Sequence, residues 1–307
     1  MSIEIPTALR QALRDYQRDA IRGMQKYISA FDGKDAHAGL VQMPTGSGKT
    51  GVIATLARCE TRPGAVIVIA PRIGIREQLV RHIDKRFFEH AKVDLGLLRR
   101  KVIELDDGGQ QPGTLNQVVV VTTVQLLTSI QKRNAKFWNE LRKQAVLVLF
   151  DEGHYEPAPV WSHVVRSFSC PRIIFTATAF RDDFNTFDID PSHVFRYSFH
   201  QARRERYVRD VQLHPARPVQ SPIHFTEEVL DAYDRFFKGP PENRADRPRV
   251  IIRCDRPDEI RQISSAVRQR GRSVIGIHET FRDDVNAGEF HPRRSWRHIL
   301  DSSIQTS

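Results

Sequence analysis

A short segment near the N-terminus, residues 42–50, combines two glycines with hydroxyl side chains and a lysine. Gly46 and Gly48 allow the backbone to adopt positive φ angles and to point its N–H groups at an anion. Lys49 can reach the outer phosphates as a mobile positive charge, and the Thr50 hydroxyl can complete the shell of a Mg²⁺ ion. The segment predicts a nucleoside triphosphate site formed by Thr45, Gly46, Ser47, Gly48, Lys49 and Thr50.

The residues on either side supply the elements that would position this loop. Residues 38–43 form an apolar run typical of a buried strand, and residues 51–57 carry apolar side chains at helical spacing. Met43 stands where the usual pattern has glycine, so the match departs from the pattern at one position. A glycine-rich turn with a surface lysine is the alternative, which the strand-loop-helix context disfavours.

Two adjacent carboxylates, Asp151 and Glu152, follow a second apolar run at residues 145–150. Because the carboxyl ends of parallel strands meet at one edge of a sheet, Asp151 and Lys49 are expected to face the same site. Asp151 would hold Mg²⁺ through water, and Glu152 would orient and deprotonate the attacking water. A solvated acidic turn is the alternative, and the preceding phosphate loop makes it the weaker one.

A third apolar run, residues 173–179, ends in small and hydroxyl residues that include Thr176 and Thr178. Together with the phosphate loop and the Asp-Glu-x-His sequence, this segment resembles the ordered motifs of superfamily 2 helicases and translocases. The resemblance implies ATP as the nucleotide. It also implies that Thr176, Thr178 and His154 couple the nucleotide state to movement of a second lobe.

Three weaker segments extend the resemblance. Residues 13–17 resemble the segment whose glutamine contacts adenine in the branch related to type I and type III restriction motor subunits, which assigns that role to Gln17. Residues 70–78 and 119–125 resemble segments that hold a nucleic-acid backbone.

The resemblance implies nucleic-acid contacts for Arg72, Thr122 and Thr123. The alternative for Arg72, and for Arg76 on the same segment, is an ordinary solvated charge. Thr122 and Thr123 have the alternative of capping a strand.

Alternation of apolar and amphipathic segments predicts an α/β fold, with a parallel sheet covered by helices on both faces. The predicted strands are 38–43, 64–70, 117–122, 146–150 and 172–177, with an amphipathic helix over 75–88. This pattern is typical of a RecA-like P-loop NTPase lobe. We assign residues 1–205 to this ATP-binding domain and residues 206–247 to a connecting segment.

Residues 248–307 are assigned to a partial second RecA-like domain, with strands expected at 248–254 and 273–277 and a helix at 258–270. The remaining chain is short for such a lobe, which needs roughly 120 to 150 residues. The family's Gln-x-x-Gly-Arg-x-x-Arg segment is absent from the sequence. We therefore expect a truncated motor, with a shifted reading frame near Phe290 as one explanation.

Composition agrees with a nucleic-acid partner, because the 307-residue chain has a net charge of +10 and a pI near 9.8. Clustered Lys and Arg bind polyanions by releasing condensed counterions. The arginines are densest at residues 201–209, which would form either a nucleic-acid-facing strip or a solvated connection between lobes.

The three cysteines lie far apart, without zinc or disulfide spacing, and no apolar run reaches membrane length. These features favour a cytoplasmic protein with no membrane partner.

The sequence thus predicts an ATP-binding, DNA-dependent ATPase of the helicase or translocase type, slow in this chain alone. The alternatives are an RNA-directed helicase, or a noncatalytic nucleotide-binding module that recruits a nuclease or another defence or repair subunit.

Overall fold

The computed structural model describes residues 3–33, 37–105, 113–153, 159–178, 188–209, 221–236, 250–254, 256–274 and 276. The chain divides into two compact units, Met1–Val211 and Gln212–Ser307. The predicted domain boundaries at 205 and 248 stay a prediction.

The first unit is built around a seven-stranded sheet in which every pairing is parallel. Its strands are β1 Ala38–Gln42, β2 Ala65–Ala70, β3 Lys101–Glu104, β4 Val118–Thr123, β5 Ala145–Phe150, β6 Arg172–Thr176 and β7 Ile189–Arg196. They lie side by side in the order β3-β4-β2-β5-β6-β1-β7.

Helices accompany the strands along the first unit. They are α1 Thr7–Ala12, α2 Asp15–Ala30, α3 Lys49–Cys59, α4 Ile73–Arg81, α5 Phe87–His90, α6 Val124–Arg133, α7 Ala135–Gln144, α8 Pro159–Arg166 and α9 Phe199–Arg204. A π-helical turn, His82–Arg86, joins α4 to α5, so the predicted helix over 75–88 is interrupted. A 3-10 turn, Leu95–Leu97, precedes β3.

The two faces of the sheet are covered by separate hydrophobic cores, as the side chains of β2 demonstrate. Val66, Val68 and Ala70 belong to the core formed with α2 and α3. The alternate residues Ala65, Ile67 and Ile69 belong to the core formed with α6, α7 and α8. Since successive side chains of a strand point to opposite faces, both faces of the sheet are buried. The predicted α/β fold with a doubly covered parallel sheet is confirmed.

Sequence patterning missed the two edge strands, β3 and β7. Both are partly exposed along their length, and β7 contains Pro191 among polar residues. An edge strand needs no continuous apolar run because one of its sides is unpaired. The five predicted inner strands all form, each within a residue or two of its predicted bounds.

In the second unit the structure describes helices α10 Pro222–Phe236 and α11 Pro257–Gln269, which pack through Leu230, Ile263 and Val267. The helix predicted over 258–270 is therefore present. The described residues at 250–254 and 273–274 form no strand, contrary to prediction, and Ile251 is 93% exposed. The second RecA-like lobe stays a prediction.

Among the helices that the structure describes, none has the length and apolar character needed to cross a membrane.

Candidate nucleotide-binding site

The phosphate loop lies at the carboxyl end of β1 and leads directly into α3. Gly46 has a φ of 82° and Gly48 a φ of 87°, the left-handed conformation that glycine adopts without steric cost. A Cβ atom on Gly48 would also lie 2.7 Å from Nε2 of Gln17, so the end of that side chain would have to move. The loop thus has the predicted backbone conformation, at the positive end of a helix dipole.

Lys49 is buried beneath this loop, with 8% of the residue exposed. Its Nζ donates to the Met43 carbonyl at 3.2 Å and lies 3.8 Å from Oε1 of Glu152. The lysine therefore bridges the end of β1 and the end of β5. Thr50, the next residue of α3, is half-buried.

The other hydroxyl residues of the loop differ in their environment. Ser47 is fully buried, and its Oγ donates to the Pro44 carbonyl at 2.6 Å, which stabilises the turn. Thr45 and Gly46 are exposed. Met43 is completely buried in the core, which explains why an apolar residue is acceptable where the usual pattern has glycine.

Asp151 and Glu152 follow β5, as predicted, but they lie in different environments. Burial, reinforced by the neighbouring Glu152 carboxylate and partly offset by Lys49, raises the pKa of Asp151 to about 6. Glu152 is only partly buried, with 26% of its side chain exposed. Its backbone has a φ of 50°, a left-handed conformation uncommon for a residue with a side chain. Such strained positions cluster at functional sites.

The sheet order brings these groups together. The loop after β1 and the carboxylates after β5 both lie at the carboxyl ends of the strands. They are close to one another because only β6 lies between β1 and β5. Backbone hydrogen bonds hold the residues that follow β1 and β5 against the neighbouring strands. The Met43 N–H donates to the Thr176 carbonyl at 2.9 Å, and the Asp151 N–H donates to the Ile69 carbonyl at 3.0 Å. The crevice at this edge is where open α/β sheets bind ligands.

Gly153, which the sequence analysis did not single out, has a steric role beside the carboxylates. A Cβ on this residue would approach Cγ2 of Ile174 in β6 to 2.2 Å. The segment after Glu152 therefore passes against β6 more closely than any other residue type would allow. The position of glycine in the Asp-Glu-x-His sequence was the only available signal.

Thr176 and Thr178 lie at the carboxyl end of β6, beside the phosphate loop. The Thr176 hydroxyl donates to the Thr178 carbonyl at 2.7 Å and accepts from the Thr178 N–H at 3.1 Å. Both residues thus form one closed turn next to the nucleotide site, and their coupling role stays a prediction. His154, the third predicted coupling residue, lies outside the described residues.

The residues predicted to contact nucleic acid have contrasting environments. Arg72 is exposed at the start of α4, whereas Thr122 and Thr123 are buried at the end of β4. The Thr123 hydroxyl accepts from the Leu126 N–H at 3.3 Å and so caps α6. Arg76 is neither solvated nor available to phosphate, since it is 8% exposed and pairs with Glu104 at 2.8 Å. Nucleic-acid contact by Arg72, Thr122 and Thr123 stays a prediction.

Gln17 contacts the phosphate loop from the first turn of α2. Its Nε2 donates to the Gly48 carbonyl at 3.0 Å, and its Oε1 accepts from the Arg14 N–H at 3.0 Å. Its predicted contact with adenine stays a prediction. The adjacent Tyr16, which the motif comparison passed over, donates its hydroxyl to the Ser47 carbonyl at 2.6 Å.

The arginine-rich segment falls on α9 and the turn after it. Arg204, Arg206 and Arg209 are exposed, so this part of the surface is strongly positive. Both predicted roles, nucleic-acid contact and a solvated connection, are compatible with that exposure.

The donors around the crevice fit a magnesium nucleotide. Oxygen ligands suit Mg²⁺, and Thr50 and Asp151, the residues predicted to hold it, both supply oxygen atoms. That they hold the ion stays a prediction. A buried carboxylate whose pKa is raised by desolvation gains from a nearby cation, which supports this assignment. The loop N–H groups and Lys49 supply the complementary charge for phosphate oxygens.

A protein family and several known proteins are similar to this chain. The model of the protein family described as "Type III restriction enzyme, res subunit" matches residues 10–181, more than half of the chain. This match confirms the resemblance drawn from the sequence motifs.

A curated relative, "DNA 3'-5' translocase XPB2" of Sulfurisphaera tokodaii, is 22% identical over 276 residues, covering 90% of this chain and 55% of the relative. The chain thus spans about half the length of that protein.

Two solved structures are similar at 17% identity and a TM-score of 0.46. The first is a nuclease-deletion mutant of the Type ISP restriction-modification enzyme LlaGI in complex with a DNA substrate mimic. The similar region covers 73% of this chain and 22% of the LlaGI chain. The second is the Pyrococcus furiosus Hef helicase domain, and the similar region covers 88% of this chain and 55% of the Hef chain.

Proposed function

The chain belongs to the family of the type III restriction enzyme res subunit, a group of superfamily 2 helicase domains, and from that premise we propose that it binds and hydrolyses ATP when it contacts DNA. The observation that carries the proposal is the position of Lys49, whose Nζ lies between the Met43 carbonyl and the Glu152 carboxylate. One buried cation thereby links the phosphate loop to the Glu152 carboxylate, which would act on water.

The division of labour follows from burial. The N–H groups of the loop and the Lys49 ammonium bind the phosphates, since they supply positive charge where negative charge accumulates. Glu152 is the general base, because its carboxylate is partly exposed and hence within reach of a water molecule. Asp151 is buried, so its carboxylate is better placed to bind a cation than to accept a proton from water.

The metal would be held by Thr50 and Asp151. When bound, Mg²⁺ supplies positive charge that neutralises the phosphate oxygens. The remaining work falls to this chain's own groups, which orient the nucleotide and withdraw a proton from the attacking water.

DNA is the proposed nucleic acid for two reasons. The curated relative is named as a DNA translocase, and the exposed arginines together with the net charge of +10 favour a polyanion. Translocation along DNA, and recruitment of a nuclease or another defence subunit, are proposals for the whole protein. For this chain alone we propose slow hydrolysis without strand separation, because the sequence lacks the family's arginine-bearing segment, and such arginines contribute about 10³ to 10⁵ in rate.

The test is ATP turnover by the purified chain with no nucleic acid, with single-stranded DNA, with double-stranded DNA and with an RNA of the same sequence. Modest salt preserves ionic contacts. We expect DNA to stimulate turnover and Glu152→Gln to lower it by about 10² or more. Glu140→Gln makes the same chemical change on the exposed side of α7 and should leave turnover unchanged.

The outcomes separate the candidate functions. Stimulation by RNA alone would replace DNA with RNA as the partner. Tight ATP binding with no turnover under any condition would refute the enzymatic proposal and favour the noncatalytic module. Robust unwinding of a DNA duplex would refute the claim that this chain is a slow motor.

A further inference from the structure

A cluster of aromatic side chains lies directly behind the phosphate loop and joins the start of α2 to the end of the first unit. The rings of Tyr16 and Tyr197 stack with centroids 4.0 Å apart and planes at 7°. Tyr207 meets the Tyr16 ring edge-on at 5.1 Å, and the Arg14 guanidinium lies 4.4 Å from the centre of the Tyr207 ring. We call Tyr16, Tyr197 and Tyr207 the tyrosine cluster.

Tyr16 connects this cluster to the loop through its hydroxyl group. The hydroxyl donates to the Ser47 carbonyl at 2.6 Å and accepts from Nη1 of Arg14 at 2.8 Å. Burial raises the pKa of Tyr16, so the hydroxyl keeps the proton that it donates. Ser47 is immediately followed by Gly48 and Lys49, so this bond holds the loop at its functional centre.

The other side of the cluster is held by β7 and α9. The Tyr197 N–H donates to the carbonyl of Gln42, the last residue of β1, at 2.9 Å. The Tyr197 hydroxyl donates to Oε2 of Glu205 at 2.8 Å, and Gln201 bonds the other oxygen of that carboxylate at 3.1 Å. Residues 201–205 are thus bonded to Tyr197, the residue whose ring stacks on Tyr16.

Packing alone does not account for this arrangement. Tyr207 remains 39% exposed, so it contributes less buried area than a core ring would. A phenylalanine at position 16 would stack equally well on Tyr197, because the stack requires no hydroxyl group. The hydroxyl is needed for the bond to the Ser47 carbonyl of the phosphate loop and for the bond that it accepts from Arg14.

We propose that Tyr16 is a positioning residue that fixes the phosphate loop for nucleotide, and that Tyr197 and Tyr207 hold it in place. The inference rests on the proposed function, since it concerns nucleotide affinity at the same site. It also links that affinity to residues 197–207, far along the sequence from the nucleotide motifs. A displacement of Tyr207 would be transmitted to the loop through the ring of Tyr16.

The test compares two substitutions that each remove one hydroxyl group from α2. Tyr16→Phe removes the bond to the loop and the bond accepted from Arg14, just as Tyr27→Phe also removes a bond accepted from the Arg172 N–H at 3.1 Å. Tyr27→Phe is the matched control, because the Tyr27 hydroxyl is also bonded to a backbone carbonyl, that of His37 at 2.8 Å, and its residue is equally buried. The measurements are the dissociation constant of a fluorescent methylanthraniloyl-ADP and the melting temperature without nucleotide.

We expect Tyr16→Phe to weaken binding of the probe by about three- to tenfold, the equivalent of one hydrogen bond. Tyr27→Phe should lower the melting temperature at least as much and leave the affinity within twofold of the unchanged chain. Tyr207→Leu, at a position that is 39% exposed, should weaken binding in the same direction as Tyr16→Phe.

Two results would overturn the inference in different ways. If the unchanged chain binds the probe and Tyr16→Phe binds it equally well, the positioning role fails while the proposed function stands. If the unchanged chain binds no better than Lys49→Ala, the proposed nucleotide site fails and the inference fails with it.

Discussion

At the scale of single residues, the site combines two adjacent carboxylates that differ in burial and in backbone conformation. Asp151 is buried with its pKa raised to about 6, whereas the adjacent Glu152 has a left-handed backbone and a partly exposed side chain. One residue is suited to hold a cation and the other to reach water. Without a bound cation, the buried carboxylate is a cost to folding.

That cost gives a pH-dependent prediction for Asp151→Asn. The raised folded-state pKa means that Asp151 favours the folded state fully below about pH 4, and that this contribution is lost as pH rises through about 6. Free of metal and nucleotide at pH 7.5, the variant should be more stable by on the order of 3 kcal/mol. The gain should disappear below about pH 4.

Urea unfolding in EDTA at several pH values measures this difference. Asp19→Asn, at an exposed position with a single surface ion pair, is the control and should change stability little at any pH. A variant of Asp151 that is destabilised at neutral pH would contradict the assigned cost of burial.

At the scale of elements, the amino ends of the strands are held by a buried arginine opposite the nucleotide site. Arg100 is 1% exposed and donates to the carbonyls of Glu60 at 2.7 Å, Gly64 at 2.7 Å and Val118 at 3.2 Å. It thereby ties the loop after α3 to the start of β2 and β4. Burial lowers the pKa of Arg100 to about 10, which leaves it charged at neutral pH.

Arg100→Met should therefore destabilise the fold by about 3 kcal/mol, since it leaves several buried carbonyls without donors. Arg99→Met is the neighbouring control, because Arg99 forms an exposed ion pair with Glu4 and its substitution should cost about 0.5 kcal/mol or less. Chemical denaturation of both variants gives the comparison. Equal losses at the two positions would show that the carbonyl contacts contribute nothing specific.

At the scale of the whole molecule, the net charge of +10 bears on how the chain would meet DNA. Exposed arginines follow α9, and each phosphate contact releases a condensed counterion. We expect the affinity for a single-stranded DNA oligonucleotide to fall about tenfold or more between 50 and 200 mM NaCl, as about three phosphate contacts would require.

Fluorescence anisotropy across a salt series measures this slope. The double variant Arg204→Gln, Arg206→Gln distinguishes the two roles of the arginine-rich segment. A slope reduced by about 1.4 would assign the segment to the nucleic-acid contact, and an unchanged slope would assign it to a solvated connection. Binding that does not depend on salt would contradict the ionic interface as a whole.

The sequence by itself was enough to predict which residues form the nucleotide site, because their chemistry depends on short local spacing. Gly46, Gly48 and Lys49 are identified by a loop of consecutive residues, and the inner strands by uninterrupted apolar runs. Edge strands, one side of which is unpaired, have no such run, and β3 and β7 were missed for that reason.

Only the tertiary structure decided which distant residues meet. Three features join parts of the chain that are far apart in sequence. They are the position of β6 between β1 and β5, the ion pair of the buried Arg76 with Glu104, and the stacking of Tyr16 on Tyr197. No local pattern encodes such contacts, because they form when separate elements pack against one sheet. The motif therefore identified the phosphate loop, whereas its supporting residues became visible only in the folded chain.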